Sequence, residues 1–191
     1  RAFVHAHRRL GAKERDGVLV AAARWLEQVG DHADALDYWV ELADGEACLR
    51  MLGEHGEQLL ADGHAQGVVG AAALVPTDRR DATFEVMVGD GWLLLGDWDE
   101  ALRCYARAAR DAGPVPARIA WRTGLLHYLR GNLDDAAKAY EGGDGEDPDL
   151  AARALLLGWS ASVRWLRGDL EGCRAQATRA YEAARTSGDN R

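Results

Sequence analysis

The side chains that could do chemistry are few and scattered. Three cysteines, Cys48, Cys104 and Cys173, stand far apart with no C-x-x-C spacing, which suits buried apolar thiols in a reducing compartment better than a redox pair or a metal site. His5 and His7 are two apart, so on a helix they point to different faces and cannot chelate as an i, i+4 pair would. His32, His55, His64 and His127 are isolated in sequence and read as capping, partly exposed or core histidines. The acidic run Asp144-Gly145-Glu146-Asp147-Pro148-Asp149 offers oxygen ligands for calcium. It lacks the ordered acidic positions, mid-loop glycine and terminal glutamate of an EF-hand, and reads as a solvated turn. There is no G-x-S-x-G, no H-E-x-x-H and no G-x-x-x-x-G-K-[ST]. No catalytic residue, cofactor or metal ligand is expected.

The elements that carry these residues repeat. Turn glycines stand at Gly30, Gly63, Gly96, Gly131 and Gly168, at intervals of 33 (30 to 63), 33 (63 to 96), 35 (96 to 131) and 37 (131 to 168). Each follows one amphipathic stretch and precedes another; Trp98, Ala101, Leu102, Tyr105, Ala108 and Ala109 share one stripe after Gly96. Seven residues before each turn glycine stands a small residue: Ala23, Gly56, Gly89, Gly124 and Ala161. Five after it stand Ala35, Val68, Ala101, Ala136 and Cys173, and Tyr105 and Tyr140 hold a large position nine after. A period in the thirties with two helices per period is the signature of an α-solenoid.

These residues resemble the tetratricopeptide (TPR) repeat. The predicted fold is all-α, a right-handed superhelix of about five helical hairpins. Helices are expected near 14–29, 32–43, 46–61, 64–75, 79–95, 98–112, 116–130, 133–141, 149–167 and 170–186, with Val75-Pro76-Thr77-Asp78 as a breaker. Four prolines among 191 residues and few β-branched side chains argue against a sheet. The net charge of −8 argues against duplex nucleic acid as a partner, because that affinity rests on neutralising phosphates. No apolar run reaches the ~18–20 residues of a membrane span, and no signal peptide opens the chain, so a cytoplasmic location is expected.

A second resemblance lies at the start. Residues 1–76 resemble the junction between a winged-helix segment and helical repeats in MalT-like, LuxR-type bacterial transcriptional regulators. Trp25-Leu26-Glu27, Gly30-Asp31, Ala35-Leu36 and Leu59-Leu60-Ala61-Asp62-Gly63 carry it. The resemblance implies that residues 1–12 end a preceding winged-helix-like segment and that 13–191 form the repeat domain. It also implies a non-catalytic sensor for a small effector or a protein. The alternative is a generic TPR scaffold unrelated to transcription.

In a TPR register the first helix of each repeat lines the concave surface with the residues 13, 10, 6 and 3 before the turn glycine. That selects Arg118, Trp121, Leu125 and Tyr128 in one repeat and Thr83, Val86, Asp90 and Leu93 in the one before. The last repeat supplies Leu155, Gly158, Ser162 and Trp165. Asp90, Arg118, Trp121, Tyr128 and Trp165 are the candidate binding residues; packing between repeats is the competing use of the same aromatics. Trp25, Trp39, Trp92 and Trp98 are expected in the core. The last helix carries Cys173, Ala177, Ala180 and Tyr181 on one face, expected to lie exposed or to be covered by another molecule, so self-association there is possible.

Overall fold

The computed structural model describes residues 11–110, 112 and 114–188. The segment 1–12 expected to end a winged-helix-like region, including His5 and His7, therefore falls almost wholly outside the described residues. Ten α-helices are present among them: α1 Ala12–Val29, α2 His32–Glu41, α3 Gly45–Ala61, α4 Ala65–Ala73, α5 Ala82–Leu95, α6 Trp98–Ala108, α7 Ala117–Leu129, α8 Leu133–Glu141, α9 Leu150–Leu166 and α10 Leu170–Ser187. They form five consecutive pairs, and no strand is present among the described residues. The chain divides into two compact units, Arg1–Ala101 and Leu102–Arg191.

The turn within each pair follows from one residue type. Gly30, Gly63, Gly96, Gly131 and Gly168 all sit at φ between 79° and 86°, the left-handed region where a Cβ is penalised. The amide just after each turn glycine then reaches back: Asp97 N donates to Trp92 O at 3.0 Å and Asn132 N to His127 O at 2.9 Å. The next residues restart the chain. Asp31, Asp97 and Asp169 each accept the amide three residues on, from Asp34, Glu100 and Gly172 at 3.3, 3.1 and 2.9 Å.

The small and large positions explain each other. A Cβ on Gly124 would stand 2.1 Å from Cε1 of Tyr140, and one on Gly56 would stand 2.0 Å from Sδ of Met87. Missing side chains on the first helices are thus the seats of large ones. Ala35, Val68, Ala101 and Ala136 are fully buried, as are Cys104 and Tyr105.

Several boundaries differ from expectation, for local reasons. The helix expected from 79 begins at Ala82, because Pro76 starts a 3-10 turn at Thr77–Arg79 and Asp81 caps the helix through Phe84 N at 2.7 Å. Arg80 then closes the end of α4, donating to Ala72 O and Val75 O at 2.8 and 2.7 Å. The helix expected to 112 stops at Ala108. The acidic turn is structural: Asp147 Oδ2 accepts Ala117 N at 2.8 Å, and Val115 pairs with the 142–144 backbone. Glu146 bridges Arg153 at 3.2 Å and Arg179 at 2.7 Å.

Trp25 corrects one expectation. It is 60% exposed, whereas Leu19, Ala23 and Leu26 on the same helix are buried. The buried stripe runs at i, i+4 and i+7, and Trp25 lies about 100° round from Leu26. Trp39 is buried as expected, while Trp92 and Trp98 are only half-buried.

Candidate functional site

Four of the five candidate residues lie on α7 and α9 in the second unit, and Asp90 lies half-buried on α5 in the first. The second unit is built on a cluster of Ala117, Ala120, Ala136, Ala137, Tyr140, Ala152, Leu156 and Val163, with Trp121, Tyr128 and Trp159 packed partly buried against it. So many alanines bring α7, α8 and α9 close together and leave the bulky rings at the margin.

Two of the rings meet directly. Tyr128 on α7 meets Trp159 on α9 with centroids 5.4 Å apart and planes at 58°, a tilted aromatic pair. Arg122 lays its guanidinium over the Trp121 ring at 4.4 Å and donates to Arg118 O at 2.8 Å. Trp165 is 61% exposed, and Leu155 on the same helix is also exposed. Between them Gly158 faces open space, with no atom within 4 Å of where its Cβ would stand. Ser162 beside it turns inward on its own helix, bonding Gly158 O at 3.2 Å.

The packing use of these aromatics is seen directly, and exposed ring surface accompanies it. Trp121 and Tyr128 pack against the core on one side and reach the surface on the other; Trp165 is a surface residue. Sequence spacing missed Trp159 and Arg122, which stand one residue off the selected positions. Their signal was adjacency, since a large ring or a guanidinium reaches over a neighbouring position on a helix.

In the first unit the structure joins histidines that are remote in sequence. His32 and His55 stack with centroids 3.6 Å apart and planes at 11°. With His64, Asp31 and Asp62 they border a shallow pocket. Among the described residues no group of three or more His, Cys, Asp or Glu is arranged to hold a metal ion. All three thiols are free; Cys48 and Cys104 are buried, and burial, with Asp44 nearby, pushes the Cys48 thiol up to about 11.

Electrostatics elsewhere serve the scaffold. Burial pushes the Glu27 carboxyl up, but bonds from Arg50 and from the Trp39 indole outweigh this and hold it below the usual range. Those bonds, at 2.8 and 2.5 Å, tie α1 to α2 and α3. Asp169 is likewise held low, by the Gly172 amide and then by Arg164.

Helix pairs turned on left-handed glycines, with small residues seating large ones, give an all-helical, TPR-like fold. Residues 94–151 match the tetratricopeptide repeat family model. No curated protein matches the sequence. Among solved structures, a crystal structure of MamA superposes with a TM-score of 0.66 at 14% identity, covering 86% of this chain and 95% of that one. A second MamA structure gives 0.66 at 15%, covering 89% and 92%. BtubC (BKLC) from P. vanneervenii gives 0.59 at 18%, covering 98% and 89%. At such identities the likeness is one of fold. No helix among the described residues is long and apolar enough to cross a membrane.

Proposed function

We propose that the chain is a non-catalytic scaffold that docks a protein partner on the α7–α9 face of its second unit. The observation that supports this is an exposed Trp165 on the helix whose Trp159 pairs with Tyr128, with Leu155 exposed and Gly158 open on that same helix. Aromatic side chains offered to solvent at low conformational cost are the usual anchors of protein contacts. Arg118, Trp121, Tyr128 and Trp165 form the contact set; Asp90 is a separate polar contact on the first unit. Comparative affinity capture with the parent chain and Trp165→Ala, each verified by circular dichroism, tests the reading. Partners retained by the parent and lost by the variant support it. The same partners on both would place the contact elsewhere.

A second reading makes the chain the sensor of a MalT-like, LuxR-type regulator, responding to a small effector or a protein in the cytoplasm. It rests on Trp25-Leu26-Glu27, Gly30-Asp31 and the Leu59–Gly63 motif. The full gene separates the two: a P-loop upstream and a helix-turn-helix downstream favour the regulator, and their absence removes it. Self-association through α10, where Tyr181 is 69% exposed, is tested by sedimentation of Tyr181→Glu beside the parent chain; identical profiles would discard it.

A further inference from the structure

We propose that a cavity between α8 and α9 binds a small organic ammonium, a primary amine on a short apolar body. The cavity measures about 250 Å³ and is walled by Ala137, Tyr140 and Val163, all buried. Ser160 and Glu141 line it as well. It lies apart from the docking face. Ser160, Val163, Arg164 and Arg167 recur at i, i+3, i+4 and i+7, one stripe of α9 and its C-terminal end, whereas Leu155, Gly158, Ser162 and Trp165 make up another. At about 100° per residue, Ser160 stands about 160° round the helix from Gly158. Binding in the cavity therefore uses none of the aromatic face.

The cations around the cavity are engaged, and the acceptors are not. Arg164 donates to Asp169 at 2.8 Å, and Arg167 donates to Asp134 and to Leu133 O, the latter at 3.4 Å. Lys138, three positions before Glu141 on α8, pairs with Asp135 at 3.1 Å. Among the described residues nothing bonds the side chain of Glu141 or of Ser160, and the buried hydroxyl of Tyr140 has no partner. With each arginine matched by its own aspartate, Glu141 leaves one negative charge in surplus. Burial, and then nearby Tyr128, push the Tyr140 phenol up, so its hydroxyl stays neutral. A carboxylate and two hydroxyls can all accept hydrogen bonds, and an ammonium brings a positive charge with three donors. Ala137, Val163 and the Tyr140 ring are apolar and suit a hydrocarbon body. The volume falls below the ~300–1,000 Å³ of drug-sized sites, which limits that body to a few carbons.

The test is titration of the purified, isotope-labelled chain with n-butylammonium chloride and, separately, with n-butanol, read as amide shifts by NMR. Ionic strength is held fixed at neutral pH, where an alkylamine is charged as lysine is. The ammonium is expected to give saturable shifts at Ala137, Tyr140, Ser160 and Val163 and to bind about tenfold or more tightly than the alcohol. Glu141→Gln, an exposed change that leaves the buried walls intact, should weaken the ammonium about tenfold and leave the alcohol unchanged. Ser160→Leu, checked for helical circular dichroism, should fill the cavity and abolish both. Gly158→Leu, on the far side of α9, should change neither. Equal affinity for alcohol and ammonium, or ammonium binding unaffected by Glu141→Gln, would overturn the cationic ligand. Shifts that never saturate and spread over the acidic surface, or none at those four residues, would overturn the site itself.

Discussion

Replacing Gly124 by alanine adds one methyl group to α7, and two effects of opposite sign follow. A helix-interior glycine replaced by alanine gains about 1 kcal/mol of propensity. Against this, the new Cβ would stand 2.1 Å from Cε1 and 2.5 Å from Cδ1 and Cζ of Tyr140. The ring would have to retreat by about 1.3 Å to reach ordinary contact at 3.4 Å. It is 4% exposed and packed in the same cluster as Ala117, Ala136 and Leu156, so a retreat of that size disturbs its neighbours. Overpacking of this kind costs about 1–3 kcal/mol and typically exceeds the propensity gain. Gly124→Ala should therefore destabilise the chain by up to about 2 kcal/mol, whereas Gly158→Ala, entering open space, should stabilise it by about 0.5–1 kcal/mol. Urea titration followed by circular dichroism reads both as shifts of the midpoint in opposite directions. In a Tyr140→Leu background the cost of Gly124→Ala should shrink, because the colliding atoms are gone. If the two alanine variants shift the midpoint equally and in the same direction, the seat-and-ring account of this repeat is refuted.

Gly96→Val should cost about 1–3 kcal/mol although nothing lies near its Cβ, because the strain is in the backbone at φ 82°; Gly96→Asn should recover most of it, and equal stabilities would refute the turn assignment. Glu27, whose carboxyl is held low in the fold, contributes stability that is present above its unfolded value near ~4.3 and is lost as pH falls through its folded value. Glu27→Gln should accordingly narrow the loss of stability between about pH 6 and about pH 3, and an unchanged acid limb would remove Glu27 from that role. Native Cys48, buried with its thiol raised to about 11, should resist iodoacetamide at neutral pH while half-buried Cys173 reacts first; mass spectrometry showing Cys48 alkylated first in the folded chain would contradict its burial.

The hairpin grammar was legible in the sequence because it is local. A left-handed turn demands glycine, the aspartate after it caps the next helix, and small residues at fixed distances from the turn mark where helices approach. All three depend on residues within a few positions of one another. The helix start at Ala82 departed from expectation because Asp81 and Pro76 compete for the start of a helix, and spacing does not say which prevails. Contacts between helices depend on distances that periodicity does not contain. Trp25 and Leu26 are adjacent in sequence, yet one is exposed and the other buried, since a helix turns about 100° per residue. His32 and His55 are 23 positions apart (32 to 55), and only the packing of α2 near α3 stacks them. The register selected Trp121, Tyr128 and Trp165, but it took side-chain length and rotamer to add Trp159 and Arg122. The open space at Gly158 was decided by tertiary structure alone: a missing side chain marks a close approach at Gly124 and a gap at Gly158, and the sequence writes both with the same letter.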